Sequence, residues 1–210
     1  MPLIKTIFTQ QGATVHVWRI TETFDELFSI HLKEESLERV LKMKSELHQK
    51  GFLSVRHLLK HAGYSDTDLY YTSNGKPHLK DNKHISITHS FHYAAIIIGG
   101  CDVGIDIEKN REKIVKIAHK FIGSEKSFLT DHQLVEQLMV IWGAKESLYK
   151  IYPHEGLTFK NHIFVDPFKL TTGGTTAAIN IESWNKKYDI SFEQFDGFTL
   201  VYALPNHDLK

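Results

Sequence analysis

The chain has 210 residues, of which 41% are hydrophobic and 24% are charged, a composition typical of globular proteins. Its 25 basic and 25 acidic residues give a formal net charge of zero, which argues against bulk attraction to nucleic acid or to an anionic membrane. Cys101 is its single cysteine, and no apolar run approaches the roughly 18 residues that span a bilayer. We therefore expect a cytoplasmic monomer without a signal peptide and with neither a nucleic-acid nor a membrane partner.

The predicted elements begin with a strand and a helix-rich stretch. Residues 15–20 are predicted to form a strand, with Val15 and Val17 on one face. Residues 22–60 are predicted to be mostly helical, with Gly51 separating two helices. A turn follows at residues 73–77, where Asn-Gly and Lys-Pro pairs favour a change of chain direction.

Strands and a second helical stretch make up the rest of the chain. Three strands are predicted at residues 85–88, 93–98 and 103–108. Residues 114–151 are predicted to be mainly helical, with a break near Gly123 and a helix start at Ser124. Four further strands are predicted at residues 162–165, 177–181, 188–192 and 198–204.

A weak internal repeat links two of the predicted strand pairs. Ile85-Ser86-Ile87 and the segment 93–97 resemble Ile190-Ser191-Phe192 and the segment 198–202, with the same spacing in both places. One interpretation is a chance likeness of two hairpins. The other is a chain built from two similar α+β halves that meet near residues 99–102, with a cleft between them as a natural ligand site.

Two acidic residues stand on one predicted strand, within Gly104-Ile105-Asp106-Ile107-Glu108. Because side chains on a strand alternate between faces, Asp106 and Glu108 point the same way, while Ile105 and Ile107 point into the core. Neighbouring carboxylates repel each other and favour a bound cation or a shared proton. The plain alternative is a solvent-facing strand edge with two unremarkable acids.

A third acidic residue lies on the second predicted helix. Trp142, Glu146 and Lys150 follow one another at four-residue intervals and so form one column along the helix. This column borders the apolar stripe, which places Glu146 near the edge of the core. The alternative is an ordinary surface Glu–Lys pair.

Two polar loops offer binding groups. Thr88, His89 and Ser90 end a predicted strand, and strand ends are frequent places for binding side chains. The turn Gly75-Lys76-Pro77 can place backbone groups against a flat ligand, although a plain turn has the same composition.

In order and spacing, these motifs together resemble the phosphopantetheinyl transferase superfamily, of the larger, surfactin-synthetase-activating type. The resemblance is carried by motifs between residues 75 and 157, which are Gly75-Lys76-Pro77, Ile87-Thr88-His89-Ser90, Gly104-Ile105-Asp106-Ile107-Glu108, Trp142 with Lys145-Glu146-Ser147 and Lys150, and Gly156-Leu157. It implies two similar α+β halves related by a pseudo-twofold axis, with the active site between them. Residues 1–100 would form the half that contacts coenzyme A, and residues 101–210 the half with the metal ligands and the catalytic helix.

The resemblance also implies roles for individual residues. The Mg²⁺ ligands would be Asp106, Glu108 and Glu146, and Lys150 would contact the pyrophosphate of coenzyme A. The remaining coenzyme contacts would be Thr88 and His89 at the phosphates, and Gly75, Lys76 and Pro77 beside the adenine.

The activity that the resemblance implies is transfer of the 4'-phosphopantetheine group from coenzyme A to a serine of an apo acyl-, aryl- or peptidyl-carrier protein. Mg²⁺ is the expected cofactor and adenosine 3',5'-bisphosphate the expected product. Catalysis would rest on Glu146, Lys150 and Asp106, with Glu146 accepting the serine proton directly or through water. The alternatives are a non-catalytic protein that binds coenzyme A or a carrier protein, an unrelated metal-dependent phosphohydrolase, and a small binding module.

One departure concerns the N-terminal helices. Members of the superfamily usually carry an arginine there that holds the 3'-phosphate, whereas the matching stretch here, residues 46–53, has none. Lys50, Lys42 or Lys44 would have to replace it, without the planar two-point contact of arginine.

Overall fold

The computed structural model describes residues 2–206 and has a mixed α+β architecture. The chain forms two compact units, Met1–Cys101 and Asp102–Lys210. No helix within residues 2–206 combines the length and the apolar character needed to cross a bilayer.

Within residues 2–101, the first unit contains six strands and three α-helices. The strands are β1 (Leu3–Phe8), β2 (Thr14–Arg19), β3 (Leu69–Tyr71), β4 (Pro77–Leu79), β5 (His84–Ser90) and β6 (Tyr93–Gly99). The helices are α1 (Phe24–Phe28), α2 (Glu34–Lys42) and α3 (Glu46–His61), and a short 3-10 helix covers Asp66–Asp68.

An antiparallel sheet in the order β1-β2-β6-β5 forms the frame of the first unit, and β3 pairs separately with β4. Helix α3 packs on this sheet, with Val55, Leu58 and Leu59 buried against Ala94 and Ile96 of β6. The apolar residues recur at helical spacing along α3, which explains why one face of the helix is buried.

Gly51 does not separate two helices, as the sequence predicted, but lies inside α3. Its place in the helix is explained by a close neighbour, because a Cβ atom on Gly51 would lie 2.9 Å from Nδ1 of His89 on β5. Glycine therefore leaves room for the imidazole ring, at a cost of about 1 kcal/mol in helix propensity relative to alanine.

In the described part of the second unit, residues 102–206, there are five strands and three α-helices. The strands are β7 (Gly104–Lys109), β8 (Ile163–Val165), β9 (Gly174–Ile181), β10 (Trp184–Phe195) and β11 (Phe198–Pro205). The helices are α4 (Lys113–Ile117), α5 (Leu134–Ile151) and α6 (Phe159–His162). The sheet is antiparallel in the order β7-β11-β10-β9-β8, and α5 packs on β7 and β11.

The stretch 114–151 is less helical than the sequence predicted. Between α4 and α5 the chain forms three short 3-10 helices, Ala118–Lys120, Ser124–Phe128 and Asp131–Gln133. The second of these begins at Ser124, where the sequence predicted a helix start. Burial of Phe121 and Ile122 in the core holds this irregular segment in place of a continuous helix.

The same three-strand arrangement recurs in both units. The order β2-β6-β5 in the first unit is repeated as β7-β11-β10 in the second, and all of these neighbours are antiparallel. Ser90 faces Tyr93 across one turn and Phe195 faces Phe198 across the other, so the β5–β6 and β10–β11 hairpins have the same register. The sequence likeness between the two strand pairs therefore coincides with two matching hairpins.

The two turns differ in conformation although they have the same length. In the first turn Phe91 has a positive φ of 51°, which is unusual for a bulky residue. In the second, Asp196 and Gly197 have φ values of 49° and 74°, as expected for an Asp-Gly hairpin turn.

Candidate functional site

The candidate site is on β7 and α5 of the second unit. Asp106 on β7 is 5% exposed and Glu108 is partly exposed, while Ile105 and Ile107 between and beside them are fully buried. This is the alternation that the strand pattern predicted. Both carboxylates therefore lie on one face of β7.

Two glycines allow α5 to approach β7 and the neighbouring strand β11 closely. A Cβ atom on Gly104 would lie 2.1 Å from the carbonyl oxygen of Ser147, and one on Gly143 would lie 2.5 Å from Cγ2 of Val201. Neither position has space for a larger residue unless the helix moves. The glycines thus fix how near the α5 side chains come to the carboxylates.

Lys150, in the last turn of α5, reaches β7 directly. Its Nζ atom donates to Oδ1 of Asp106 at 3.0 Å and to the carbonyl oxygen of Ile105 at 2.7 Å. The ammonium is partly exposed and the carboxylate nearly buried. The helix lysine is thereby held beside a strand carboxylate.

Glu146, one turn before Lys150, is in an environment that disfavours its charge. The pKa of Glu146 is raised to about 7, mainly by burial and then by the negative charges of Asp106 and Glu108, against the opposing effect of Lys150. Glu146 lies on the same face of α5 as Lys150, which contacts Asp106, so the helix carboxylate is on the side of α5 that faces β7. The three carboxylates repel each other there, which favours binding of a cation.

The donor set suits Mg²⁺, which prefers oxygen ligands. Among residues 2–206, no three His, Cys, Asp or Glu side chains converge closely enough to enclose a metal ion by themselves. Mg²⁺ sites commonly use one or two carboxylates together with waters and substrate phosphates rather than a cage made of protein alone. Carboxylates of this group thus offer the oxygen ligands for a Mg²⁺ ion whose remaining ligands come from waters and substrate phosphates.

The other residues singled out in the sequence lie in the first unit. Thr88 is buried in β5, and the exposed His89 lies against Gly51 of α3, with the ring of His48 centred 6.5 Å from its own. The histidine is thus held between a strand end and a helix.

Gly75 and Lys76 lie in the turn between β3 and β4, where the sequence predicted a turn, and Pro77 begins β4. Gly75 has a positive φ of 80°, which explains the glycine, and its N–H donates to the carbonyl oxygen of Thr72. The carbonyl oxygen of Lys76 accepts a hydrogen bond from the N–H of Thr72, which closes the turn.

Residues 102–203 match the family model of the 4'-phosphopantetheinyl transferase superfamily. The matched segment runs from the start of the second unit into β11, and it contains Asp106, Glu108, Glu146 and Lys150. It covers just under half of the chain and does not include the first unit. No curated protein matches the sequence.

Within the segment that matches the superfamily, the sequence analysis missed one feature, a buried ion pair beside Glu146. Lys145 lies 2.6 Å from Oε1 of Glu125, and both side chains are fully buried. The ammonium also donates to the carbonyl oxygens of Phe121 and Phe159. A lysine within an apolar helical stripe was the available signal, because such a position is buried and its charge then requires a partner.

Glu125 completes this group by accepting from two backbone N–H groups. Its Oε2 atom accepts from Gly123 at 2.8 Å and its Oε1 atom from Val165 at 3.2 Å. The pair thus joins α5 to the segment before it and to β8. Since Lys145 precedes Glu146, it fixes the helix at the residue next to the candidate site.

Proposed function

We propose that the protein transfers the 4'-phosphopantetheine group of coenzyme A to a serine hydroxyl of an apo acyl-, aryl- or peptidyl-carrier protein, with Mg²⁺ as cofactor and adenosine 3',5'-bisphosphate as product. The observation that carries this proposal is the group of three carboxylates with Lys150 beside them, inside the segment that matches the superfamily. Such a group suits a reaction at an anionic pyrophosphate.

In this proposal Asp106, Glu108 and Glu146 hold Mg²⁺. Bound there, the ion supplies positive charge against the pyrophosphate and relieves the repulsion among the carboxylates. The raised pKa of Glu146 supports this assignment, because a buried acid beside two others is stabilised in its charged form by a cation.

Lys150 is proposed to stabilise the leaving group. Its ammonium is held by Asp106 and by the carbonyl oxygen of Ile105, so its position is fixed before any substrate binds. A fixed positive charge is most useful where negative charge grows, which is the leaving adenosine 3',5'-bisphosphate.

Glu146 is also the proposed general base. A base must be ionised to accept a proton, and Mg²⁺ beside Glu146 would lower its pKa from the metal-free value of about 7 and keep the carboxylate ionised. It would accept the proton of the attacking serine, directly or through a water.

The first unit carries the proposed coenzyme contacts. His89 and Thr88 would meet the phosphates, and Gly75, Lys76 and Pro77 would lie beside the adenine. Lys42 is the weakest substitute for the usual arginine, since its ammonium is already 2.8 Å from Glu38 at an exposed surface. The larger surfactin-synthetase-activating type, the pseudo-twofold relation of the halves with the active site between them, the monomer and the cytoplasmic location belong to the same proposal.

Mass spectrometry of apo-carrier proteins tests the proposal. Acyl-, aryl- and peptidyl-carrier proteins are incubated separately with the protein, coenzyme A and Mg²⁺, with EDTA and a serine-to-alanine carrier as controls. We expect one carrier at least to gain a phosphopantetheine group on its serine, and neither control to do so. If folded protein binds coenzyme A but modifies no carrier, the proposal is wrong, and turnover of coenzyme A without a carrier would indicate a hydrolase instead.

A further inference from the structure

The first unit contains a structural counterpart of the carboxylate group. Counted from the hairpin turn, Ala94 and Thr199 are both the second residue of their strands. Trp18 lies opposite Ala94, and Glu108 lies opposite Thr199. Two positions further along, the register places His16 and Asp106 at equivalent sites, opposite Ile96 and Val201.

The packed helices extend the correspondence. On α3 the ring of His57 lies 5.5 Å from that of Trp18, and the ring of His61, four residues later, lies 5.3 Å from that of His16. Glu146 and Lys150 have the same four-residue spacing on α5. His61 therefore relates to His16 as Lys150 relates to Asp106.

A buried ion pair marks the same point on both helices. Arg56, which precedes His57, lies 3.0 Å from Asp66, with both side chains almost completely buried. The equivalent ion pair on α5 joins Lys145, which precedes Glu146, to Glu125. The two helices thus present matching positions to their sheets, held by matching ion pairs.

The equivalent positions of the two units carry side chains of opposite chemical character. Where the second unit has three carboxylates, the first has His16, Trp18 and His57. These side chains are donors or neutral rings, and they do not form a site for a hard cation, which requires oxygen ligands. They suit a ligand that carries a hydrogen-bond acceptor or a negative charge.

A cavity of about 500 Å³ opens at this counterpart. It is lined by Pro2, Leu3, Trp18, His57, Lys60 and His61. None of these six residues is acidic, and Lys60 and the histidines provide the only ionisable groups among them. Pro2, Leu3 and the Trp18 ring form an apolar wall, so a bare inorganic anion would leave this wall without a contact.

A second observation points to a ligand with an acceptor atom. The Nε1 atom of Trp18 is buried and has no hydrogen-bond partner within residues 2–206. A buried N–H without an acceptor costs about 1–3 kcal/mol. Because Nε1 has almost no accessible surface in the free protein, a ligand's hydrogen-bond acceptor would remove that cost when a small movement of the ring on binding turns Nε1 toward the cavity.

We propose that this cavity binds a small organic carboxylate, whose carboxylate group is held by Lys60 and the other donors and whose apolar part lies on Trp18, Leu3 and Pro2. This site is separate from the carboxylate group of the second unit and does not depend on the proposed transferase activity.

Nitrogen-15 NMR of the whole protein tests the proposal with sodium hexanoate as the probe. The indole N–H signal of Trp18 is assigned with Trp18→Phe, and that of Trp184 is the internal reference. We expect hexanoate to shift the Trp18 signal saturably, and hexanol and inorganic phosphate to bind much more weakly. Lys60→Gln should weaken hexanoate by about two- to fivefold, as for a partly solvated ion pair.

Lys80→Gln, which removes an exposed lysine of the same unit, is the matched control and should leave hexanoate binding unchanged. The proposal is overturned if hexanoate causes no saturable shift, or if hexanol binds as tightly and the charge therefore contributes nothing. Equal binding by phosphate would overturn it as well, because the apolar wall would then be without effect.

Discussion

The Nζ atom of Lys145 lies 2.6 Å from Oε1 of Glu125, and neither side chain has contact with solvent. Removing one partner leaves an uncompensated buried charge, which costs about 3–5 kcal/mol. We therefore expect Lys145→Met to lower the free energy of unfolding by that amount, as measured by chemical denaturation. The control is Lys42→Met, which breaks the exposed pair with Glu38 and should cost less than about 0.5 kcal/mol. Equal effects of the two substitutions would contradict the role of the buried pair.

Gly104 should tolerate no side chain. Because its Cβ atom would lie 2.1 Å from the carbonyl oxygen of Ser147, Gly104→Ala must push α5 away from β7. We expect a loss of about 1–3 kcal/mol or more in the free energy of unfolding. Gly100→Ala is the matched control, since a Cβ there has no neighbour within 4 Å, and it should be neutral or stabilise by up to about 1 kcal/mol.

The carboxylate group should act as a unit in catalysis. Glu146→Gln keeps the shape of the side chain but removes its charge and basicity, and we expect a loss of about 10²- to 10⁴-fold in the single-turnover rate. Asp106→Ala should be similarly damaging, and the double variant little worse than either single one. Lys150→Ala should slow transfer but leave Mg²⁺ binding to the coenzyme complex intact in isothermal titration.

Glu136→Gln, in the first turn of the same helix, is the control for these variants and should retain activity. Wild-type transfer and normal Mg²⁺ binding by Glu146→Gln would mean that the helix carboxylate takes no part, and the proposed mechanism would have to be abandoned.

Gly51 and His89 should be coupled. Alanine at a helical glycine normally stabilises by about 1 kcal/mol, but here its Cβ would press on the His89 ring at 2.9 Å. We expect Gly51→Ala to give this gain only when combined with His89→Ala, as a double-mutant cycle of unfolding free energies would show. Additive effects would mean that the ring moves aside freely.

His89 itself should discriminate between two forms of the coenzyme. A charge-assisted hydrogen bond is worth about 1.5–3 kcal/mol, so His89→Ala should weaken coenzyme A by about tenfold or more. Dephospho-coenzyme A, which lacks the 3'-phosphate, should be affected far less in the same titration. Equal weakening of both ligands would make His89 a structural residue.

His16 should make stability depend on pH. Burial lowers the pKa of His16, and the nearby charge of His61 lowers it further. The unfolded chain then binds the proton more readily than the folded one, so stability is complete above the ordinary histidine pKa and falls as the pH drops below it. Thermal midpoints between pH 8 and pH 5.5 should decline more steeply for the wild type than for His16→Gln. Parallel curves would show that His16 is not responsible.

Local sequence patterns predicted most of the regular elements. The alternation in Gly104-Ile105-Asp106-Ile107-Glu108 sets the faces of β7, and the four-residue spacing of Glu146 and Lys150 sets one column of α5. Both depend only on the geometry of a single strand or helix, and both are present in the structure. The hairpins also follow from local pattern, since their turns are two residues long.

Contacts between distant residues explain what the sequence did not predict. Glycine usually interrupts helices, and the reason for Gly51 in α3 is a ring 38 positions later, on β5. Lys145 finds its partner in a 3-10 segment rather than on its own helix. His16 and Trp18 share no residue type with Asp106 and Glu108, so their equivalence is visible only in the strand register.

The common register of the two hairpins makes a turn graft possible. Replacing Phe91-His92 with the Asp-Gly pair of the second hairpin would exchange a bulky residue at positive φ for residues that accept this conformation. Neither strand has to slide, because each turn already spans two residues between paired positions. Removing the strain of a bulky residue in the left-handed conformation should raise the free energy of unfolding by about 1–2 kcal/mol. The protein thus supplies, in its own second half, a ready template for strengthening the first.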